Sequence, residues 1–305
     1  MKISIALCTY NGEKFIRDQI NSFINQTIIP NEIVVCDDKS TDKTLEILNE
    51  FKKEHLNIHF EILSNTSTLG VVKNFEKAIS NCSGDIILLS DQDDLWVDNK
   101  IEKIVNYFII ETEIDVVFTN GYLMGNKEGT LWDYAKFKSN RQKFWNNHGA
   151  LLSFLKYKSI CTGASMAIRK RAFSYILPIN NDSNVLHDCW IGINAAYQNR
   201  IGFLPDKLFY YRIHSEQWTQ KDLINNKNSR IQFLQKKVEF ILFFTNYFKL
   251  NSPPYTTLRN HYTLRVNLPK SFLKRFYIVI KELFKGNYSK FSPNIKTALR
   301  DIIKY

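Results

Sequence analysis

Short apolar runs alternate with stretches of helical periodicity through the first 120 residues, and that alternation leaves few folds open. The runs fall at residues 3–7, 32–36, 58–63, 86–89 and 116–119. Between them, Phe15, Ile16, Ile20, Phe23 and Ile24 recur at helical spacing. So do Leu45, Leu48 and Phe51, then residues 71–81, then Ile101, Ile104, Val105 and Phe108. Strands separated by helices predict an α/β fold: a largely parallel sheet with helices on both faces. Ligands on such sheets bind at the carboxyl ends of the strands. Polar clusters at Thr9, at Asp37-Asp38 and at Asp91-Gln92-Asp93-Asp94 each follow a run, so three strand ends are expected to meet at one site. Ser40 and Thr41 are N-cap candidates for the second helix.

Further along, residues 165–168 and 202–213 read as strands and 188–199 as a helix, whereas 121–155 shows no clear pattern. Beyond Asn228 the pattern is helical, with Pro253, Pro254, Pro269 and Pro293 as breaks. A domain at 1–220 followed by a helical region at 221–305 is therefore expected. Charge divides at the same place. Residues 220–305 hold 17 Lys and Arg against 4 Asp and Glu, and the preceding 219 residues hold 24 against 26. A basic tail of this kind suits an anionic partner. Five widely spaced cysteines, without a Cys-x-x-Cys pair, predict buried reduced thiols and no zinc site. A strand starting at Ile3 leaves no room for a signal peptide, and no apolar stretch is long enough to span a bilayer. The expected location is cytoplasmic, peripheral at the inner face of the cell membrane.

The acidic cluster carries the most chemistry. Three carboxylates within four residues repel one another unless a cation or hydrogen-bond donors compensate. Magnesium or manganese typically takes one or two carboxylates and completes its shell with substrate phosphates. The cluster therefore suits a metal-bound diphosphate; the competing reading has these aspartates cap the following helix. At His187-Asp188-Cys189-Trp190 an acid stands at a loop-to-helix junction, where it can serve as a general base or as an N-cap. Strand alternation places Arg212 and His214 on one face.

Together these segments resemble family 2 glycosyltransferases of the GT-A fold, of the bacterial surface-polysaccharide, rhamnosyltransferase-like type. The resemblance rests on Thr9-Tyr10-Asn11-Gly12, Asp37-Asp38-Lys39-Ser40-Thr41-Asp42, Asn65 with Leu69-Gly70, and Ser83-Gly84-Asp85 before Asp91-Gln92-Asp93-Asp94. It extends over residues 1 to about 220. It implies a Rossmann-like, mostly parallel sheet with a C-terminal helical extension, and a Mn2+ or Mg2+ cofactor. Thr9, Tyr10, Asn11, Asp38 and Asp91 would hold the nucleotide, Asp93 and His214 the metal. Gly163, Ala164 and Arg212 would face the donor sugar and phosphates, with small residues at 163 and 164 letting backbone approach the sugar. Asp188 matches the base that deprotonates the acceptor, and a single displacement inverts the anomeric carbon.

A Gln-x-x-Arg-Trp motif of processive synthases is absent, and Gln217-Trp218 does not replace it, so addition of one sugar is expected. The implied donor is dTDP-rhamnose or a UDP-hexose and the acceptor a glycan, lipid-linked in such pathways, read by residues 121–158 and the C-terminal helices. Those helices pair Phe272, Phe276, Ile280 and Phe284 with Lys270, Lys274, Arg275 and Lys281, and an earlier one carries Lys236 and Lys237. That pattern fits an anionic membrane surface or packing on the catalytic domain. Two other functions stay open. A sugar nucleotidyltransferase would need a basic Gly-rich loop, which residues 8–12 lack. A non-catalytic membrane-associated nucleotide-sugar-binding protein would explain the tail. The acidic loop excludes a nucleic-acid face on the main domain.

Overall fold

The computed structural model describes residues 1–125, 128–134, 149–157, 161–180, 185–214, 230–292 and 295–303. The chain divides into two compact units, Met1–Gln217 and Trp218–Tyr305.

In the first unit the alternation read from the sequence appears as β1 (Ile3–Thr9), α1 (Ile16–Ile24), β2 (Glu32–Asp37), α2 (Thr44–Glu54), β3 (His59–Ser64), α3 (Val71–Asn81) and β4 (Ile86–Ser90). Then come β5 (Leu95–Trp96), α4 (Lys100–Ile110), β6 (Val116–Gly125), α5 (Leu131–Tyr134), α6 (Gly149–Tyr157), β7 (Met166–Arg169), α7 (Phe173–Ile176), α8 (His187–Tyr197) and β8 (Ile201–Ile213). The strands form one sheet in the order β3-β2-β1-β4-β7-β6-β8-β5. Pairings β3–β2, β2–β1, β1–β4 and β6–β8 are parallel. β7 is antiparallel to both its neighbours, and β5 is antiparallel to β8, so the sheet is mixed. Apolar periodicity locates a strand without giving its direction, which is why the reversal at β7 was not legible.

Both sheet faces are covered. Ile5 and Leu7 of β1 and Ile33 and Val35 of β2 share one core with Ile16, Ile20 and Phe23 of α1, Leu48 and Phe51 of α2, and Ile101, Ile104 and Phe108 of α4. The alternate residues Ala6, Val34 and Cys36 are equally buried, as are Phe75, Ala78 and Ile79 of α3. Fully burying an apolar side chain of this size contributes about 1.5–3 kcal/mol, so the two layers dominate the unit's stability. All five cysteines are free and buried.

Register brings the polar strand ends together. Thr9 pairs with Asp37 across β1 and β2, and Leu7 pairs with Ser90 across β1 and β4, so all three strands stop at one sheet edge. The second helix begins three residues later than the expected caps. Ser40 instead donates from its N–H and Oγ to the Asp37 carboxylate, at 2.8 and 2.6 Å, and Asp42 Oδ1 accepts the Thr44 N–H at 3.0 Å.

The second unit is helical: α9 (Arg230–Tyr247), α10 (Tyr255–Val266), α11 (Phe272–Phe284), α12 (Asn287–Phe291) and α13 (Ile295–Ile303). Leu268, Val279, Tyr288, Ala298 and Ile302 form its core. Asp301 is buried beside it, accepting from Arg265 Nε and Tyr288 Oη at 2.7 Å each, with Arg230 as a further ion-pair partner. Two basic residues expected at the surface are instead inside. Arg275 is buried and donates to the carbonyls of Ile302, Pro269 and Lys270, and Lys237 is buried over the Phe240 ring. Among the described residues, no helix is long and apolar enough to cross a membrane.

Candidate active site

The loops after β1, β2 and β4 are sewn to one another by side-chain-to-backbone hydrogen bonds. Thr9 is buried and donates from Oγ1 to Asp37 at 2.7 Å. Tyr10 leaves its ring more than half exposed at the strand end. Its N–H donates to Gln92 Oε1 (2.8 Å) and its carbonyl accepts from Gln92 Nε2 (3.0 Å), a reciprocal pair. The Gln92 amide lies where a side chain at residue 12 would stand, since a Cβ on Gly12 would come within 2.3 Å of Gln92 Oε1. Asn11 has φ of 48°, a left-handed conformation that Asn tolerates. It accepts the Thr41 N–H on Oδ1 and donates its own N–H to Ser40, each at 2.8 Å.

Asp38 is buried and serves a structural purpose that the sequence did not reveal. Its carboxylate accepts the N–H groups of Leu69 (2.7 Å) and Gly70 (2.9 Å) and the Asn65 amide (3.0 Å), which ties the end of β2 to the loop before α3. The Asn65 and Leu69-Gly70 elements of the motif are thus the donors that Asp38 requires.

The acidic loop is electrostatically loaded. Desolvation, then the charges of Asp93 and Asp188, push the Asp91 carboxyl up to about 7. Desolvation and the charges of Asp93 and Asp91 raise Asp94 well above the carboxylate range. Asp94 Oδ1 accepts the Arg212 N–H at 3.1 Å, which joins this loop to the end of β8. Asp93 meets both Arg212 and His214: its carbonyl accepts Arg212 Nε at 2.9 Å, and its Oδ2 stands 2.8 Å from His214 Nε2. Arg212 and His214 also flank the same ring, with the guanidinium 4.9 Å and the imidazole 4.7 Å from the centre of Phe15. The shared face expected from alternation is present, and Phe15, just before α1, and Asp18 of α1 complete it, Asp18 lying 3.9 Å from Arg212.

Asp188 stands in the first turn of α8. Asp188 is buried, and its Oδ1 accepts the N–H of Cys189 at 2.6 Å. Its charge is among the causes that raise Asp91. His187 stacks on Phe75 at 3.8 Å, and burial lowers its pKa to about 3, leaving it neutral. Gly163 fits against that imidazole: a Cβ there would lie 2.4 Å from His187 Nε2. Gly163 and Ala164 belong to a single 3-10 turn, Gly163–Ser165, and both are buried. Packing against His187 thus accounts for the small residue at 163.

Sequence reasoning missed Lys100, which is fully buried next to the acidic loop. Its signal was present: Lys100 lies on the i, i+4 row of Ile104 and Phe108, the inward stripe of α4. Residues 215–218, including Gln217 and Trp218, lie outside the described residues, as does much of 121–158.

The model of glycosyl transferase family 2 matches residues 4–177. Among curated relatives, an uncharacterized glycosyltransferase of Haemophilus influenzae is 27% identical over 219 residues, covering 70% of this chain and 66% of that protein. The putative teichuronic acid biosynthesis glycosyltransferase TuaG of Bacillus subtilis is 32% identical over 131 residues, 43% of this chain and 50% of its own length. The dTDP-rhamnosyl transferase RfbG of Shigella flexneri is 36% identical over 106 residues, 34% of this chain and 37% of its own. The matches therefore span less than two thirds of these relatives' lengths. In fold, the chain is similar to S. aureus TarS 1–349 in complex with UDP, at TM-score 0.57 and 18% identity, covering 97% of this chain and 92% of that one. It is also similar to the mannosyltransferase PcManGT of Pyrobaculum calidifontis in complex with GDP-Man and Mn2+, at TM-score 0.56 and 15% identity, covering 98% and 78%. A GT-A sheet, an acidic loop at its carboxyl edge and a family match over more than half the chain agree: the chain belongs to glycosyl transferase family 2.

Proposed function

We propose that this chain is a metal-dependent, inverting glycosyltransferase that moves one sugar from a nucleoside-diphosphate sugar to a glycan acceptor in bacterial surface-polysaccharide synthesis. The observation that carries the reading is the acidic loop at the carboxyl edge of the sheet, where Asp93 meets Arg212 and His214. The donor set fits a hard divalent cation such as Mn2+ or Mg2+, because Asp93 Oδ2 and His214 Nε2 already stand 2.8 Å apart beside mutually repelling carboxylates. Among the described residues no three His, Cys, Asp or Glu side chains form a metal-holding group, and diphosphate oxygens would supply further ligands. When bound, the ion neutralises the departing diphosphate.

The chain's own residues supply the rest. Tyr10 offers an exposed ring to the base, Thr9 and Asn11 shape the strand end beneath it, and Asp38 fixes the neighbouring loop while Oδ2, which accepts the Gly70 N–H, keeps one lone pair for a base N–H. Asp91 faces the ribose. Arg212 steadies Asp93 and directs its charge toward the phosphates. The backbone of Gly163 and Ala164 borders the sugar. Asp188 takes the proton of the acceptor hydroxyl as the new carbon–oxygen bond forms. The resemblance to a dTDP-rhamnosyl transferase and to a UDP complex supports dTDP-rhamnose or a UDP-hexose as donor.

A thermal-stability screen tests the reading. A nucleoside diphosphate with Mn2+, at about a hundredfold excess over Kd, should raise the midpoint by roughly 5 °C, because both bind only the folded state. No shift with any nucleotide contradicts it, and pyrophosphate release from a nucleoside triphosphate favours a nucleotidyltransferase.

The second unit supports peripheral membrane attachment and a lipid-linked acceptor. Along α11, Phe272, Leu273, Phe276, Tyr277 and Phe284 are exposed, Leu273 at 77% and Phe284 at 89%, beside exposed Lys270, Lys274, Lys281 and Lys285. Apolar residues toward solvent with lysines alongside suit insertion at an anionic bilayer surface. Replacing Phe272 and Phe276 by Glu should lower co-sedimentation with phosphatidylglycerol vesicles about tenfold. Equal binding by the double variant, or equal binding to neutral vesicles, rules this surface out.

A further inference from the structure

A lysine buried within reach of the charges of Asp94 and Asp91 calls for a reason beyond packing. The Lys100 side chain is wholly enclosed, with Nζ 4.0 Å from the ring centre of Trp96 and 4.7 Å from that of Phe209. Its ammonium donates to the Ala164 carbonyl at 2.8 Å. A methionine would fill the same aromatic slot without the several kcal/mol that burying an ammonium costs. Burial pulls the Lys100 pKa down to about 7, and the negative charges of Asp94 and Asp91 act against that fall. Asp94 Oδ2 is buried with no hydrogen-bond partner among the described residues, so through-space attraction is what the lysine offers that carboxylate.

The Ala164 contact extends further. Ala164 sits in the Gly163–Ser165 turn, which is closed by a reciprocal pair between Thr162 and Ser165, with Ser165 Oγ donating to the Thr162 carbonyl at 2.7 Å. Gly163 in the same turn abuts His187, the neighbour of Asp188. One ammonium therefore joins the loop of Asp91 and Asp94 to the turn that backs the first residue of α8.

We propose that Lys100 is a positioning residue: it supplies an internal counter-charge to the acidic loop while no cation is bound, and it fixes the Gly163–Ser165 turn relative to that loop. This inference rests on the glycosyltransferase reading of the same cleft. Replacing Lys100 by Met removes the competing charge, so the two functions separate. Mn2+ alone, followed by electron paramagnetic resonance, should bind Lys100→Met about tenfold more tightly than the unaltered chain, given one charge removed at short range in a partly screened site. Lys100→Arg keeps the charge and should bind Mn2+ within about twofold of the unaltered chain. Amide exchange at residues 163–165 should speed by about tenfold in both variants, since neither can place a compact ammonium on Ala164. A packing residue would loosen the turn without tightening the metal.

Mn2+ affinity in Lys100→Met equal to or weaker than that of the unaltered chain overturns the proposal, as does unchanged exchange at 163–165. If Lys100→Met is insoluble, Lys100→Gln replaces it. Insolubility of both neutral variants beside a soluble Lys100→Arg makes the charge a folding requirement and also overturns the proposal. An unaltered chain that binds no nucleoside diphosphate with Mn2+ sinks the glycosyltransferase reading instead, whatever the variants do.

Discussion

Asp188→Asn should retain nucleotide and metal binding within about twofold and lose sugar transfer by a factor of about a thousand, the middle of the range for a general base. The substitution keeps volume and shape, and its side-chain oxygen can still accept the Cys189 N–H that Asp188 Oδ1 accepts at 2.6 Å. The first turn of α8 should therefore hold its place. What disappears is the ability to take a proton from an alcohol. Removing the negative charge also relieves part of the repulsion that raises Asp91, so binding of a metal–diphosphate should not weaken through loss of fold. Calorimetry for binding and single-turnover transfer for chemistry separate the two effects. Transfer at the unaltered rate would return Asp188 to a capping role.

Asp93→Ala is expected to act at the earlier step. Metal-dependent nucleotide affinity should fall at least about a hundredfold, because one of the two proposed protein ligands, Asp93 and His214, is gone and losing a strong carboxylate contact costs several kcal/mol. The ligand-free protein should be no less stable, since the Asp93 charge is part of the repulsion that raises both Asp91 and Asp94. The thermal midpoint without ligand, compared with the midpoint shift on adding Mn2+ and nucleotide, reads both halves at once. A variant that keeps the full ligand-induced shift would remove Asp93 from the metal.

Much of this site was legible because its residues follow strands whose register is set by apolar alternation. Thr9, Asp37 and Ser90 end three parallel strands at one edge, so their loops had to meet. Arg212 and His214, two residues apart on an extended segment, had to share a face, and both reach Asp93. What stayed hidden depends on tertiary contact. Nothing local says that Asp38 closes the loop at Leu69 and Gly70, or that Gln92 clasps the Tyr10 backbone. Lys100 was obscured by its type, because a lysine near a helix start reads as surface despite its place on the apolar row. Arg275 and Lys237 misled in the same way, and the basic character of α11 rests on Lys270, Lys274, Lys281 and Lys285 instead.

Sugar transfer as proposed requires a cation and a diphosphate to lodge between the acidic loop and α8. A crystal structure of the chain grown with Mn2+ and whichever of UDP or dTDP stabilises it tests this directly. The predicted result is Mn2+ bound to Asp93 and to diphosphate oxygens, the base against Tyr10, and the Asp188 carboxylate facing the vacant sugar position. Nucleotide lodged elsewhere on the sheet, or Asp188 walled off from the diphosphate, would contradict it.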